Sequence, residues 1–179
     1  ELARGAYIAD KENVIMVGGA GTGKTHLATA LGVVACQQGK RVRFVGATEL
    51  ANRLLEAHAD HRVTQTLAGF QKLDLVVVDE LGFVPFTTTG AELLFEFFAE
   101  TYERRPVIIT TNLPFTEWTT VFGNERLTAA LLDRLTHRCR ILEFRADSFR
   151  LKQSLQRQAT RAGQPLPTAL VHSTENNTG

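Results

Sequence analysis

Cysteine is nearly absent from this chain, with only Cys36 and Cys139 among 179 residues, far apart and without a CxxC partner or a histidine at ligand spacing. That excludes a disulfide framework and a zinc site, and both thiols read as small core residues. Long apolar runs are missing too; nothing approaches the roughly 20 residues that span a bilayer. The amino terminus, ELARGAYIADKEN, has no apolar stretch of the signal-peptide kind, so the expected location is cytoplasmic. No internal repeat is visible. Net charge is small, at +1, but unevenly spread: Arg126 to Arg161 holds nine Lys/Arg against three Asp/Glu, leaving eleven against sixteen elsewhere. Such asymmetry suits either an anionic partner for the last third or a solvated basic helix face.

What is present is alternation. Short β-branched runs, NVIMV (13–17), RVRFV (41–45), LDLVVVDE (73–80), PVIITTN (106–112) and RCRILEF (138–144), alternate with helix-like segments. This pattern predicts one α/β domain whose parallel sheet is covered by helices on both faces. Leu75 to Val78 and Val107 to Ile109 are continuously apolar, as central strands should be. RVRFV and RCRILEF mix basic with apolar residues, which suits edge strands. A first helix is expected over Thr25 to Gln38, closed by Gly39, and a second after Thr48 as cap. A third, GAELLFEFFAETYERR, places Leu94, Phe97 and Phe98 on one face and its glutamates largely elsewhere. The end of the chain, AGQPLPTALVHSTENNTG, has little pattern and two prolines, so residues 162–179 are expected to form a mobile tail behind a core of residues 1–161.

Three elements carry chemistry. Gly18-Gly19-Ala20-Gly21-Thr22-Gly23-Lys24-Thr25 matches GxxxxGK[ST] between a predicted strand and a predicted helix. Its glycines let backbone N–H groups close around phosphate oxygens, and the helix start adds its positive dipole end. The ligand expected is a nucleoside triphosphate, ATP, with Lys24 reaching the β/γ-phosphates and the Thr25 hydroxyl on Mg²⁺. In LVVVDE, two adjacent carboxylates end a buried strand, a costly place for charge unless a cation binds there. Asp79 can hold the Mg²⁺, directly or through water, and Glu80 can orient and deprotonate the attacking water, which favours ATP hydrolysis. Asn112, after VIITT, can hold the lytic water or sense the γ-phosphate without neutralising Glu80.

These elements in this order, with DELGFVP after the second and ITTNLPFTEWTTVFG after the third, resemble the AAA+ ATPases. More narrowly, the chain is similar from about Tyr7 to Lys152 to the IstB group, ATP-binding helpers of insertion-sequence transposition related to the DnaC helicase loaders; GAELLFEFFAETYERRPVIITTNLPFTEW is the most specific string. The resemblance implies a three-layer α/β/α sandwich with a five-stranded sheet of order 5-1-4-3-2, which puts Asn112 between metal and lysine. It also implies a homo-oligomer whose active sites are completed in trans by an arginine. By position in NERLTAALLDRLTHR that arginine is Arg134, with Arg126 and Arg138 as rivals. Arg150 in DSFRLK could contact nucleotide from the carboxyl side, but the chain is too short for the usual helical lid, so it is not taken as a site residue. Family members carry an additional amino-terminal helical region, and nothing precedes Glu1 here, so the chain reads as a fragment or truncated member.

The implied function is assembly on duplex DNA and activation of a partner transposase, with a helicase loader as the alternative and a small-molecule kinase as a third reading. The segment 52–72 lies where DNA-handling relatives place channel-facing elements, and Arg53, Arg62 and Lys72 could neutralise phosphates there. No membrane partner is expected.

Overall fold

The five β-branched runs become five parallel strands in a computed structural model that describes residues 1–145. They are β1 (Asn13–Gly18), β2 (Val42–Gly46), β3 (Leu75–Asp79), β4 (Val107–Thr111) and β5 (Cys139–Phe144), in the order β2-β3-β4-β1-β5. This is the expected order, with RVRFV and RCRILEF at the two edges. Every residue of β3 and β4 is buried, whereas β2 and β5 are mostly half-exposed. The expected tail, the lid and Arg150 fall outside the described residues.

Side chains alternate along the strands, so each strand feeds two cores. Val76 and Val78 join Leu50, Leu94, Phe97 and Trp118 on one face, beneath α3 (Ala47–Ala59), α4 (Val63–Gln71), α5 (Thr88–Thr101), α6 (Trp118–Phe122) and α7 (Glu125–Thr136). Leu75 and Val77 join Tyr7, Met16, Leu31 and Ile108 on the other, beneath α1 (Ala6–Ala9) and α2 (Lys24–Gln37). At about 1.5–3 kcal/mol per buried large apolar side chain, these two layers are what hold the strand ends in fixed relation. Two helix starts are fastened by side chains: Thr87 Oγ1 accepts from the Gly90 N–H (3.1 Å) and Asn124 Oδ1 from the Leu127 N–H (3.0 Å).

Two local expectations are corrected. Extended Gly46 caps α3, so Thr48 lies inside its first turn instead of before it. Cys36 is exposed on α2, because its neighbour Ala35 takes the inward position. Cys139 is half-buried against the larger core, and burial pushes its thiol up to about 12.

Asn13 closes the amino-terminal end of the sheet. Its side chain donates to Leu135 O (2.9 Å) and accepts from the Val107 N–H (3.0 Å), while its own N–H donates to Arg138 O (2.8 Å). The last turn of α7 is therefore pinned to the start of β1. Five residue steps further on, about 16 Å away at the strand rise, β1 ends in the glycine loop.

Candidate functional site

The glycine loop runs from the end of β1 into α2. Gly18 passes so close to β5 that a Cβ there would lie 2.4 Å from Phe144 O, and Gly23, at φ 97°, caps α2 in a conformation that other residues adopt at a cost. The sequence changes from strand to helix within these few residues because glycine alone tolerates both constraints. Lys24 is buried, and its ammonium donates to Gly18 O (2.6 Å) and Gly19 O (2.7 Å), which holds the charge inside the loop. Thr22 Oγ1 donates to Gly19 O (2.9 Å), tying the loop across its base.

Asp79, at the end of β3, is buried beside this loop, and the Thr25 hydroxyl donates to its Oδ1 (3.0 Å). Residues 54 positions apart thus meet as the two hard oxygen ligands a Mg²⁺ would use. Among the described residues no group of three or more His, Cys, Asp or Glu gathers as a metal cluster. Mg²⁺ needs none, since it keeps waters and phosphate oxygens around one or two protein oxygens. A hydroxyl can offer its lone pair to the cation while its proton stays on Asp79, so the pair fits that ion.

Glu80 follows with an exposed side chain and φ 58°, a left-handed conformation that costs an ordinary residue about 1–2 kcal/mol. Its N–H donates to Thr110 Oγ1 (2.9 Å), and its carbonyl accepts from the Phe83 N–H (3.2 Å). Asn112 stands exposed just beyond β4; because β4 lies between β3 and β1, and Val17 pairs with Thr111, Asn112 comes at the level of the glycine loop. The glycine loop, Asp79, Glu80 and Asn112 therefore share one end of the sheet.

Arg134 does not join them. It lies one residue before Leu135, at the opposite end of the sheet, with its guanidinium 4.5 Å from the centre of the Phe95 ring on α5. Its Nη1 is buried and has no hydrogen-bond partner among the described residues. Arg138 is exposed nearby, and Arg126, eight residues back along α7, is exposed about 12 Å away. Part of the arginine excess late in the chain is paired within the described residues: Arg140 with Glu12 (2.5 Å) and Glu1 (2.7 Å), and Arg145 with Glu143 (2.5 Å).

The DNA-facing guesses come out unevenly. Arg53, Arg62 and Lys72 are all exposed. Arg53 shares an open groove with Glu49, Asn52 and Glu56, which offset its charge, and Arg62 is ion-paired with Asp60. Two residues escaped the sequence reading altogether. Thr110 carries a signal in retrospect, a hydroxyl in an otherwise apolar strand; Phe95 carries none, because its relation to Arg134 exists only once α5 packs on α7.

A parallel sheet of order β2-β3-β4-β1-β5, with a phosphate loop after β1 and an acidic pair after β3, defines a P-loop domain of the AAA+ class. The chain belongs to the family of IstB-like ATP-binding proteins, whose model matches residues 1–157. It is 38% identical over 153 residues to a Pseudomonas aeruginosa protein named for insertion sequence IS21 and for ATP binding, covering 86% of this chain and 58% of that protein. Among solved structures, the DnaC helicase loader matches with a TM-score of 0.66 at 22% identity, over 80% of this chain and 86% of the loader. The replication initiator DnaA bound to AMPPCP and single-stranded DNA matches with a TM-score of 0.67 at 21% identity, over 99% of this chain and 55% of the initiator. At those identities the two structures speak for the fold alone.

Proposed function

We propose that this chain binds and hydrolyses ATP with Mg²⁺ and, assembled head to tail on duplex DNA, assists a transposase. The observation that carries the reading is the 3.0 Å bond between the Thr25 hydroxyl of the phosphate loop and Asp79 of the acidic pair. It brings the phosphate cradle and the metal ligands to one point, with Glu80 next in the chain. The loop N–H groups and Lys24 bind the phosphates; Thr25 and Asp79 would hold Mg²⁺, which supplies charge neutralisation on the phosphate oxygens. Glu80 takes the proton from the attacking water, and Asn112 orients that water or reads the γ-phosphate.

The assembly part rests on Arg134. A guanidinium about one strand length from its own phosphate loop would serve a second copy's nucleotide by turning away from the Phe95 ring, a contact worth only about 0.5–2 kcal/mol. Transposition is favoured by family membership and by the insertion-sequence name of the Pseudomonas relative. The helicase-loader alternative keeps only a likeness of fold. The phosphate loop, Asp79, Glu80 and Asn112 supply the chemistry in this reading.

The test is ATP turnover with duplex DNA, single-stranded DNA or neither. Stimulation by duplex is expected, and Lys24→Ala should lose nucleotide binding as well as turnover. Stimulation by single strands alone would favour the loader, and unchanged nucleotide affinity in Lys24→Ala would remove the basis of the reading.

A further inference from the structure

Thr110 poses a question of its own. It is 1% exposed in β4, a strand otherwise apolar from Val107 to Ile109 and covered on both faces, where an unbonded hydroxyl would be costly. Its hydroxyl both donates and accepts. Oγ1 donates to Asp79 Oδ1 (2.5 Å) and accepts from the Glu80 N–H (2.9 Å), and the Thr110 carbonyl accepts from the Leu81 N–H (2.9 Å). One residue of β4 therefore grips three consecutive residues of the acidic turn. Within that turn Glu80 is held at φ 58°, a conformation a free chain would leave.

We propose that Thr110 is a positioning residue for hydrolysis: its single hydroxyl fixes the orientation of the Asp79 carboxylate, which would hold Mg²⁺, and the backbone from which Glu80 presents its own. The inference rests on the ATPase reading above and deepens it. The Thr25 hydroxyl, from the first turn of α2, and the Thr110 hydroxyl, from β4, approach Asp79 at the same oxygen, Oδ1. That shared grip keeps the carboxylate from rotating, while the Glu80 N–H bond keeps the neighbouring turn in register with it. A valine has the same shape without the bonds, and a serine has the bonds without one methyl. The two substitutions therefore separate positioning from packing.

Thr110→Val should lower kcat by about 10- to 100-fold while the KM for Mg-ATP rises by no more than several-fold, and Thr110→Ser should stay close to the unsubstituted chain. A second readout does not require turnover. Titration with a fluorescent ATP analogue, with and without Mg²⁺, should show Mg²⁺-free affinity unchanged in Thr110→Val and the tightening by Mg²⁺ reduced several-fold. Should the valine variant fail to fold, Thr110→Ser against Thr110→Ala reads the same hydroxyl. Wild-type kcat and Mg²⁺ response in Thr110→Val, or equal impairment in valine and serine variants, would overturn the proposal. If the unsubstituted chain tightens on nucleotide with Mg²⁺ but never turns over, the hydrolysis reading fails, while the metal arm still decides whether Thr110 positions Asp79.

Discussion

The two ends of the sheet are built on different terms. At the carboxyl ends of the strands, polar groups are buried, close and mutually satisfied: Lys24 on its own loop carbonyls, Thr25 and Thr110 on Asp79, Thr110 again on Glu80. At the amino ends, Asn13 pins α7 in place, but Arg134 lies over Phe95 with one nitrogen unpaired among the described residues. A closed hydrogen-bond set is costly to disturb, while a guanidinium stacked on a ring gives up only about 0.5–2 kcal/mol on leaving it. One end is thus a closed set of bonds around the phosphate loop and Asp79. The other holds a guanidinium stacked on a ring, and it is this contrast that the proposed sharing of the site between copies draws on.

The contrast can be broken most severely at the arginine end. Arg134→Ala should lower duplex-stimulated turnover on the order of 10³-fold, with ATP affinity of the isolated chain unchanged, if the guanidinium serves the neighbouring copy as proposed. At the phosphate-loop end, Glu80→Gln should bind ATP normally and lose turnover on the order of 10²-fold, read by phosphate release against a binding titration. A milder test concerns the surface between these ends. Reversing Arg62 and Lys72 to Glu should weaken duplex binding and make its salt slope shallower by about two, with ATP binding untouched. The smallest effect is chemical: a maleimide should label exposed Cys36 much faster than Cys139, which is half-buried at the pinned end and whose thiol burial pushes up to about 12. Labelling of Cys139 at a comparable rate in the native chain would mean that the amino end of the sheet opens.

The same contrast explains what could be read from the sequence. The glycine loop, Asp79 and Glu80 were legible because each places its chemistry in adjacent residues, and the apolar runs of β3 and β4 announced which strands are central. Arg134 entered only through resemblance to a family; nothing in LLDRL by itself says that a ring from another helix will lie beneath it. Thr110 was passed over because its partners sit on a neighbouring strand, 30 and 31 positions away in the chain. The misreadings of Thr48 and Cys36 have a common origin. In each, residue type was trusted where backbone geometry or helix phase decided, extended Gly46 taking the cap and Ala35 the inward face.

The most direct test of a site shared between copies is a mixing experiment. Chains carrying Arg134→Ala keep an intact Glu80, and chains carrying Glu80→Gln keep an intact Arg134, so neither alone should turn over ATP on duplex DNA. Mixed in equal amounts, they should recover a substantial share of the unsubstituted rate, because an Arg134→Ala subunit then meets the arginine of its neighbour. A mixture no more active than its two components would contradict the account.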